Sequence, residues 1–336
     1  MNVVIVGCGL SGVTAAVTLK DKGHNVKIFE TRKHIGGNCY DGLICNTLVH
    51  HYGPHIFHTN DEEVFSFLSR FTEWTPFSYK PKGVTEIGKI SLPYSKKTIS
   101  EIGRELSVEE IEKYIFRDYS EKQWGVPFEE IPKSITKRIP DTSKLEDPTW
   151  FKNDKYQCIP KNGYTEMFKK MISGIDVKLN CDKEQWKKEN YDLVVYTGKI
   201  DEYYNYRYGR LPYRSLIFKH EVSDKKMQHL VENQNTKKTK YTRKYDHSYF
   251  SQHNDPMTVI TKEYPVEHSE TNTPFYPLPF KEPNELYKKY KNLAEQEKNT
   301  VFIGRLATYK YLDMWMAVKQ SLQKIEKYLN DNLHSN

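Results

Sequence analysis

Apolar residues near the N-terminus fall into two short runs separated by a helical stretch. Residues 2–6 read N-V-V-I-V, which is typical of a buried parallel strand. Residues 13–22 have helical spacing and end at Gly23, a natural helix stop. Residues 26–29 form a second apolar run that ends at Glu30. The pattern therefore predicts a strand, a turn, a helix and a second strand within about 30 residues.

The rest of the chain mixes predicted helices with strands that end in glycine. Helical spacing occurs at residues 61–70, 108–117 and 313–328, and buried-strand patterns occur at residues 191–196 and 300–303. Residues 210–265 alternate polar and apolar side chains, as antiparallel strands do. Because the strands that finish in glycine are far apart in sequence, we expect one discontinuous nucleotide-binding domain with other modules inserted into it.

Composition and charge exclude several classes of protein. The formal net charge of +7 suits an anionic small molecule, and the basic run at residues 237–244 lacks any known nucleic-acid-binding pattern. No apolar run approaches the roughly 20 residues of a membrane helix. The five cysteines form no C-x-x-C pair, which fits a reducing cytosol. We therefore expect a soluble cytoplasmic protein that binds neither nucleic acid nor membrane.

A glycine-rich turn follows the first predicted strand. Residues 7–12 read G-C-G-L-S-G, in which Gly7 permits a tight turn, Gly9 lets the backbone approach a pyrophosphate, and Gly12 lets helix and strand pack closely. The helix N-terminus at Leu10 and Ser11 offers N–H groups to phosphate. Glu30, 18 residues after Gly12, can accept hydrogen bonds from ribose hydroxyls. Its charge disfavours a 2′-phosphate, so NADP fits poorly.

A second glycine pair indicates FAD rather than another dinucleotide. Residues 32–38 read R-K-H-I-G-G-N, which resembles FAD proteins of the amine-oxidase type. Residues 300–305, T-V-F-I-G-R, resemble the late FAD-binding segment of that group, which approaches the flavin. The resemblance implies the following further cofactor residues: Arg32, Gly36, Gly37, Asn38, His55, Gly198, Gly304, Arg305, Asp313 and Met314.

Eight segments, in the same order, resemble the UDP-galactopyranose mutases. They are residues 52–59 (Y-G-P-H-I-F-H-T), 119–125 (Y-S-E-K-Q-W-G), 135–140 (I-T-K-R-I-P), 159–165 (I-P-K-N-G-Y-T), 208–216 (Y-G-R-L-P-Y-R-S-L), 241–243 (Y-T-R), 274–277 (P-F-Y-P) and 304–314 (G-R-L-A-T-Y-K-Y-L-D-M). The resemblance spans about residues 1–330. One such segment arises by chance, whereas eight in order are specific to the family.

The resemblance implies a flavin-dependent ring contraction. The enzyme would interconvert UDP-galactopyranose and UDP-galactofuranose, or UDP-arabinopyranose and UDP-arabinofuranose, through attack of reduced flavin N5 on the anomeric carbon. NADH or NADPH would reduce the flavin, although the reaction itself is redox-neutral. The alternative is a conventional FAD-dependent oxidase or desaturase of the same fold. Paired arginines beside Tyr119 are not expected in such an enzyme.

The resemblance also assigns substrate and catalytic residues. Arg138 and Arg243 match diphosphate-binding arginines, whose planar fork pairs with phosphate oxygens, and Arg138 lies in a mobile lid. The other matches are Tyr276 and Tyr311 for phosphate, Tyr119 for uracil stacking, Trp124 beside the sugar, Asn233 for substrate contact, His55 beside the flavin, and Arg305 and Asp313 near flavin and substrate. A metal site is not expected, because Gly53-Pro54 prevents a helix between His51 and His55.

Two positions in the expected substrate region depart from the family. Ser95 replaces the usual asparagine, and Trp150 replaces a tyrosine, so both are expected to alter sugar contacts. The stretch between Tyr94 and Arg117 is shorter than in bacterial relatives, which implies a reduced helical domain. The usual dimer surface is therefore in doubt, and either a homodimer or a monomer is compatible with the sequence.

These inferences together predict an α/β protein with three modules. A discontinuous Rossmann-like FAD-binding domain comprises residues 1–75, 174–215 and 295–336. A reduced helical domain is expected at residues 76–173, with the lid around 125–140. An antiparallel sheet domain for substrate is expected at residues 210–294.

Overall fold

A parallel sheet and a larger mixed sheet form the framework of the protein. The computed structural model describes residues 1–136, 142–250 and 256–333. The strands are β1 (Asn2–Val6), β2 (Asn25–Phe29), β3 (Asp41–Ile44), β4 (Thr47–His50), β5 (Phe57–Thr59), β6 (Trp74–Pro76), β7 (Lys82–Thr85), β8 (Gly88–Ser91), β9 (Tyr156–Pro160), β10 (Asp176–Lys178), β11 (Leu193–Tyr196), β12 (Tyr213–Ser223), β13 (Val231–Gln234), β14 (Arg243–Asp246), β15 (Thr258–Glu267), β16 (Pro274–Pro277) and β17 (Thr300–Phe302). The helices are α1 (Leu10–Asp21), α2 (Glu62–Ser69), α3 (Lys96–Ile102), α4 (Val108–Ile111), α5 (Asp118–Trp124), α6 (Lys133–Thr136), α7 (Tyr164–Met171), α8 (Ile200–Tyr203), α9 (Lys281–Ala294), α10 (Gly304–Ala307) and α11 (Met314–Leu333).

The parallel sheet contains the predicted nucleotide-binding unit. Its strand order is β10-β2-β1-β11-β17, and each neighbouring pair is parallel. Strand β1 is central and buried, as its apolar run predicts. Helix α1 begins at Leu10, earlier than the expected residue 13, because the extended Gly9 (φ −85°, ψ −178°) ends the turn there. The distant β11 pairs with β1, and β17 pairs with β11, which confirms the Rossmann-like α/β fold.

The second sheet has the strand order β16-β12-β15-β14-β13-β7-β8. Its longest pair joins β12 and β15, from Arg214 opposite Glu267 to Ser223 opposite Thr258. Its pairs are antiparallel except for β13 and β7, which run parallel. The antiparallel strands predicted from the alternation at residues 210–265 are therefore confirmed.

Residues 76–173 contain strands as well as the expected short helices. The hairpin of β7 and β8 extends the second sheet, and β9 lies between β5 and β6 in a three-stranded sheet. Assigning residues 82–91 to a helical domain was therefore wrong. Each strand of this hairpin has four residues, too few to show a clear alternation. A π-helical turn at Glu112–Arg117 also replaces the second half of the helix expected at 108–117.

Apolar clusters cover both faces of the parallel sheet. Strand β11 alternates between them, with Val195 in the cluster that contains α1 and Val194 in the cluster on the other face. Helix α11 packs along α1 and contributes the fully buried Val318 and Ile325. This two-sided burial fixes the carboxyl ends of β1, β11 and β17 relative to one another, where ligands of such sheets bind.

The described ranges contain neither a membrane-spanning helix nor a metal-binding cluster. Among residues 1–136, 142–250 and 256–333, none of the helices is both long and apolar enough to cross a membrane. The same ranges contain no group of three or more His, Cys, Asp or Glu side chains arranged to hold a metal ion.

Candidate active site

The turn after β1 has the geometry that its three glycines predict. Gly7 has a φ of +103°, and a Cβ at Gly12 would lie 2.1 Å from the Gly7 carbonyl oxygen. A Cβ at Gly9, in contrast, would meet only the Cα of Gly37, at 3.7 Å. The protein itself therefore requires glycine at Gly7 and Gly12, whereas Gly9 borders space that a bound group can use.

The second glycine pair lies against this first turn. Gly36 and Gly37 have φ values of +89° and +56°, and Gly36 pairs with Gly9 in a parallel bridge. The Gly36 N–H donates to the Cys8 carbonyl at 2.9 Å, and a Cβ at Gly37 would lie 2.8 Å from the Cα of Gly9. The two glycine loops therefore form one cradle of closely packed backbone without side chains.

Glu30 connects the two loops of this cradle. Its Oε2 accepts a hydrogen bond from the Cys8 N–H at 2.7 Å, and its Oε1 accepts one from the Arg32 N–H at 2.8 Å. The sequence predicted ribose hydroxyls as partners, and the structure adds these main-chain donors. Because a carboxylate offers about four lone-pair positions, Glu30 retains acceptor capacity for a ribose.

Arg32 places an unused donor beside the cradle. Its Nη2 donates to Asn38 Oδ1 at 2.9 Å, and its guanidinium lies 4.7 Å from the centre of the Tyr52 ring. Its Nη1 is buried and has no hydrogen-bond partner among the described residues. A buried cationic donor without a partner fits an anionic group such as a cofactor phosphate.

Two further glycines, Gly198 after β11 and Gly304 after β17, lie next to the cradle on the neighbouring strands. Gly304 follows β17 with a φ of +84°, and a Cβ there would approach Ser11 Oγ at 3.2 Å. Gly198 follows β11 directly after Thr197, whose hydroxyl blocks any side chain at Gly7. Leu10, at the start of α1, is buried beneath the turn. These positions lie at the carboxyl ends of adjacent parallel strands.

A cavity of about 420 Å³ opens beside the cradle. It brings together most of the residues expected to contact flavin or substrate: Asn38, His55, Tyr119, Trp124, Trp150, Asn233, Arg243, Tyr276, Arg305, Tyr311, Asp313 and Met314. An adjoining cavity of about 370 Å³ shares several of these residues and extends to Asn284 and Lys310. Arg138 falls within residues 137–141, outside the described part of the chain.

Arg243 is held by a carboxylate that the sequence did not reveal. Its Nε and Nη2 donate to Oε1 of Glu263 at 3.1 and 2.9 Å. The Glu263 side chain is completely buried, whereas 22% of the Arg243 side chain remains exposed. Burial disfavours the charged guanidinium, but Glu263 and the neighbouring tyrosines raise the pKa of Arg243 well above its ordinary value. Arg243 is therefore a permanent cation with N–H groups left over.

Tyrosines surround this cation. Tyr276 and Tyr311 stack with ring centres 6.1 Å apart, and Trp124 lies 6.3 Å from Tyr276. Burial raises the pKa of the hydroxyls of Tyr119, Tyr276 and Tyr311. All three hydroxyls therefore stay protonated near neutral pH, and those of Tyr119 and Tyr276 can donate to an anion, whereas that of Tyr311 bonds the side chain of Asp313.

Arg305 supplies a second cation at the base of the cavity. Its Nε and Nη2 donate to the Leu312 carbonyl at 3.0 and 2.7 Å, and its Nη1 donates to the Phe275 carbonyl at 3.3 Å. Its guanidinium lies 4.8 Å from the Tyr311 ring centre. Its described hydrogen-bond partners are neutral carbonyl groups, so the charge of Arg305 contributes a positive potential to the cavity.

His55 is fixed in one tautomer by buried neighbours. Its Nδ1 lies 2.7 Å from the Gly53 carbonyl, which can only accept, so Nδ1 carries the proton and Nε2 is free to accept. The His55 main-chain N–H donates to His50 Nδ1 at 3.1 Å, and the His50 N–H donates to His247 Nδ1 at 3.2 Å. Burial lowers the pKa of His50 and of His55 to about 3, so both rings are neutral.

Asn233 lies opposite Arg243 in the paired strands β13 and β14. Its Oδ1 is buried and has no hydrogen-bond partner in the part of the chain that the structure describes. Trp150 also lines the cavity, and its main-chain N–H donates to the Tyr79 carbonyl at 2.9 Å. An unpaired buried acceptor at a cavity wall fits a hydroxyl group of a ligand.

Ser95 does not reach the cavity, so its assignment to substrate is corrected. It is 1% exposed and precedes α3, where its main-chain N–H donates to Thr98 Oγ1 at 3.0 Å. Serine and threonine at this spacing cap a helix start. Ser95 therefore serves the start of α3, which a residue-by-residue match to the family does not reveal.

Several cavity residues were missed by the sequence reasoning, namely Tyr79, Phe116, Gln123, Phe151 and Asn235. Gln123 lies within the segment Y-S-E-K-Q-W-G and was available as a signal. Glu263, the partner of Arg243, was missed because the alternation at residues 210–265 indicates antiparallel strands but not which polar side chains face inward. In the structure Glu263 lies on the buried face of β15, between the partly buried Lys262 and Tyr264.

Comparisons with known proteins agree with this arrangement. The family model described as UDP-galactopyranose mutase matches residues 114–311, and that of a NAD(P)-binding Rossmann-like domain matches residues 5–71. A probable UDP-galactopyranose mutase of Klebsiella pneumoniae is 35% identical over 98% of this chain and 95% of its own length. A dTDP-fucopyranose mutase of Escherichia coli is 32% identical over 98% of this chain and 99% of its own length.

Solved structures share the fold. A crystal structure of reduced UDP-galactopyranose mutase superposes with a TM-score of 0.77 at 14% identity and covers 98% of this chain and 94% of that one. A putrescine oxidase variant superposes with a TM-score of 0.57 at 14% identity and covers 98% and 99% of the two chains. These likenesses show the fold alone, whereas the full-length sequence identities show common descent. The chain belongs to the UDP-galactopyranose mutase family.

Proposed function

We propose that this protein binds FAD and, with the flavin reduced, interconverts the pyranose and furanose forms of a UDP-linked sugar. The observation that carries the proposal is the continuity of the site. One cavity runs from Asn38, directly after the second glycine pair, past His55 and Arg305 to Arg243 with its ring of tyrosines. The reactive end of a dinucleotide and a nucleoside-diphosphate sugar can therefore meet in one cavity.

FAD fits the cradle on the grounds of backbone geometry and charge. Gly9 and Gly37 are only partly buried and carry no side chain that would keep a pyrophosphate away, and Arg32 Nη1 is a buried cationic donor without a partner among the described residues. Glu30 retains acceptor capacity for a ribose. When bound and reduced, FAD supplies a nucleophilic nitrogen for covalent catalysis at the sugar.

The diphosphate of the substrate fits the region around Arg243. Glu263 accepts from two N–H groups of Arg243 and thereby fixes the guanidinium plane, which leaves other N–H groups for phosphate oxygens. Because Arg243 and Glu263 are neutral as a pair, Arg305 and, by family resemblance, Arg138 are the proposed sources of net positive charge against the diphosphate. The protonated hydroxyl of Tyr276 adds an uncharged donor.

The sugar is proposed to be galactose or arabinose. Asn233 offers an unpaired acceptor for a sugar hydroxyl, and Trp150 supplies an apolar surface that reduces the space for an exocyclic group. UDP-arabinopyranose lacks the exocyclic CH2OH group of UDP-galactopyranose and therefore needs less space. The similarity to a dTDP-fucopyranose mutase places a dTDP-linked sugar in the test panel as well.

The test is turnover of a substrate panel by protein reconstituted with FAD. We expect yellow protein that, after reduction by dithionite, NADH or NADPH, converts UDP-galactopyranose or UDP-arabinopyranose into the furanose form. Oxidised protein should give no product. Protein that takes up no FAD would refute the cofactor assignment. Consumption of one NADH for each product molecule would favour the conventional oxidoreductase instead.

A further inference from the structure

The side-chain ammonium of Lys122 is surrounded by main-chain carbonyl oxygens. Lys122 belongs to α5, and its Nζ donates to a single loop between β13 and β14. The acceptors are the carbonyl oxygens of Gln234 at 2.8 Å, Thr236 at 2.8 Å, Thr239 at 3.3 Å and Tyr241 at 3.1 Å. One side chain thus connects one helix to a complete loop.

Both elements joined by Lys122 carry residues of the cavity. Helix α5 contributes Tyr119, Gln123 and Trp124 to the cavity wall. The loop is flanked by Asn233 and Arg243, which lie opposite each other in the paired strands. The width of the cavity between the aromatic residues of α5 and the guanidinium of Arg243 therefore depends on how this loop is held against α5.

The environment of Lys122 is unusual for a lysine. Burial lowers its pKa to about 8, and Asp118 opposes that shift. In the described ranges, no carboxylate lies within 4.0 Å of its Nζ, and the nearby Glu121 pairs with Lys237 at 2.9 Å instead. A half-buried cation without a counter-ion is unfavourable unless its hydrogen bonds are satisfied. The carbonyl groups of the loop accept these hydrogen bonds from Lys122 Nζ.

A second cation holds the carboxyl end of the same helix. Arg214 is 7% exposed, and its Nε and Nη2 donate to the carbonyl oxygens of Gln123 and Lys122 at 3.0 and 3.2 Å. The αL residue Gly125 leaves room for this guanidinium, since a Cβ there would lie 2.8 Å from Nη1. Arg214 and Lys122 therefore hold the carboxyl end of α5 from two directions, Arg214 through the helix carbonyl groups and Lys122 through the loop.

We propose that Lys122 is a positioning residue whose ammonium holds the 234–241 loop against α5 and thereby sets the spacing of Tyr119 and Arg243. The proposal rests on the proposed function only for the identity of the ligand, a uridine diphosphate group. How firmly α5 and the loop are held together can be measured in protein without substrate.

The matched variants are Lys122→Met, which keeps the length but removes the charge, and Lys237→Met. Lys237 lies in the same loop and pairs with Glu121 of the same helix, but its side chain is 66% exposed. A surface pair of this kind contributes little. We expect Lys122→Met to raise the Kd of UDP, measured by calorimetry near neutral pH, about tenfold or more, because a charge-assisted hydrogen-bond network is lost. FAD content should be unchanged, and Lys237→Met should resemble the parent protein.

Hydrogen exchange in the absence of substrate provides the second measurement. Amides of residues 118–125 and 234–242 should exchange faster in Lys122→Met, whereas the rest of the protein should be unchanged. If the parent protein binds no UDP, the proposed function fails, and this exchange experiment still decides the role of Lys122. Unchanged exchange and an unchanged Kd in Lys122→Met would overturn the proposal. Loss of FAD and of cooperative unfolding in both Lys122→Met and the milder Lys122→Gln would also overturn it, because Lys122 would then support the whole fold.

Discussion

Removing Arg243 should have two separable consequences. The first concerns catalysis, because negative charge grows on the departing UDP as the anomeric bond breaks. A positioned cation that stabilises such charge typically contributes about 2–4 kcal/mol, so Arg243→Met should lower kcat/KM by roughly 30- to 1000-fold. Arg243→Lys should rescue poorly, because an ammonium lacks the planar fork that pairs with two phosphate oxygens.

The second consequence concerns stability and arises from Glu263. In Arg243→Met the completely buried Glu263 loses its cationic partner, and its Oε2 already has no hydrogen-bond partner among the described residues. Breaking a buried pair from one side typically destabilises a protein by about 3–5 kcal/mol. The double variant Arg243→Met/Glu263→Gln carries no buried charge at this place, so it should recover most of that loss.

The assay compares the two quantities in the same three proteins. The free energy of unfolding is measured by urea titration, and kcat/KM is measured by chromatography of the UDP-sugars at equal FAD content. Lys238→Met, in the exposed part of the same basic run, is the control and should alter neither quantity. We expect the double variant to regain stability but not activity. A double variant that regains parental kcat/KM would refute the assignment of Arg243 to the diphosphate.

Three further predictions address the cradle, the buried histidines and the sugar end. Gly9→Ala should leave the unfolding free energy of the apoprotein unchanged but abolish FAD binding, whereas Gly12→Ala should impair both; retained FAD in Gly9→Ala would contradict this. Because burial holds the pKa of His50 at about 3, the unfolded chain takes up a proton below about pH 6.5 that the native state does not. The unfolding free energy should therefore fall by about 2 kcal/mol per such histidine between about pH 6.5 and 5. Urea titrations at several pH values measure this decrease, and it should be smaller in His50→Asn. Trp150→Tyr should change the ratio of kcat/KM for UDP-galactopyranose and UDP-arabinopyranose, whereas Ser95→Asn should change only stability; the opposite pattern would restore Ser95 to the sugar site.

Local features of this protein were predictable from the sequence, and contacts between distant segments were not. The turn at Gly7 and the strand that precedes it follow from local backbone requirements, and the structure confirms both. The pairing of Arg243 with Glu263 depends on the register of β14 against β15, which no local pattern specifies. Ser95 was assigned wrongly because a departure from a family motif does not tell where the side chain points.

The central claim is a ring contraction that needs a reduced flavin but consumes no electrons. It is tested most directly by incubating the dithionite-reduced protein with UDP-galactopyranose or UDP-arabinopyranose labelled with carbon-13 at the anomeric position. The account predicts that a furanose anomeric resonance appears in the NMR spectrum of at least one mixture, reaches the same equilibrium from either ring form, and leaves the flavin reduced. No furanose resonance with either sugar, or a product formed only as the flavin becomes oxidised, would contradict it.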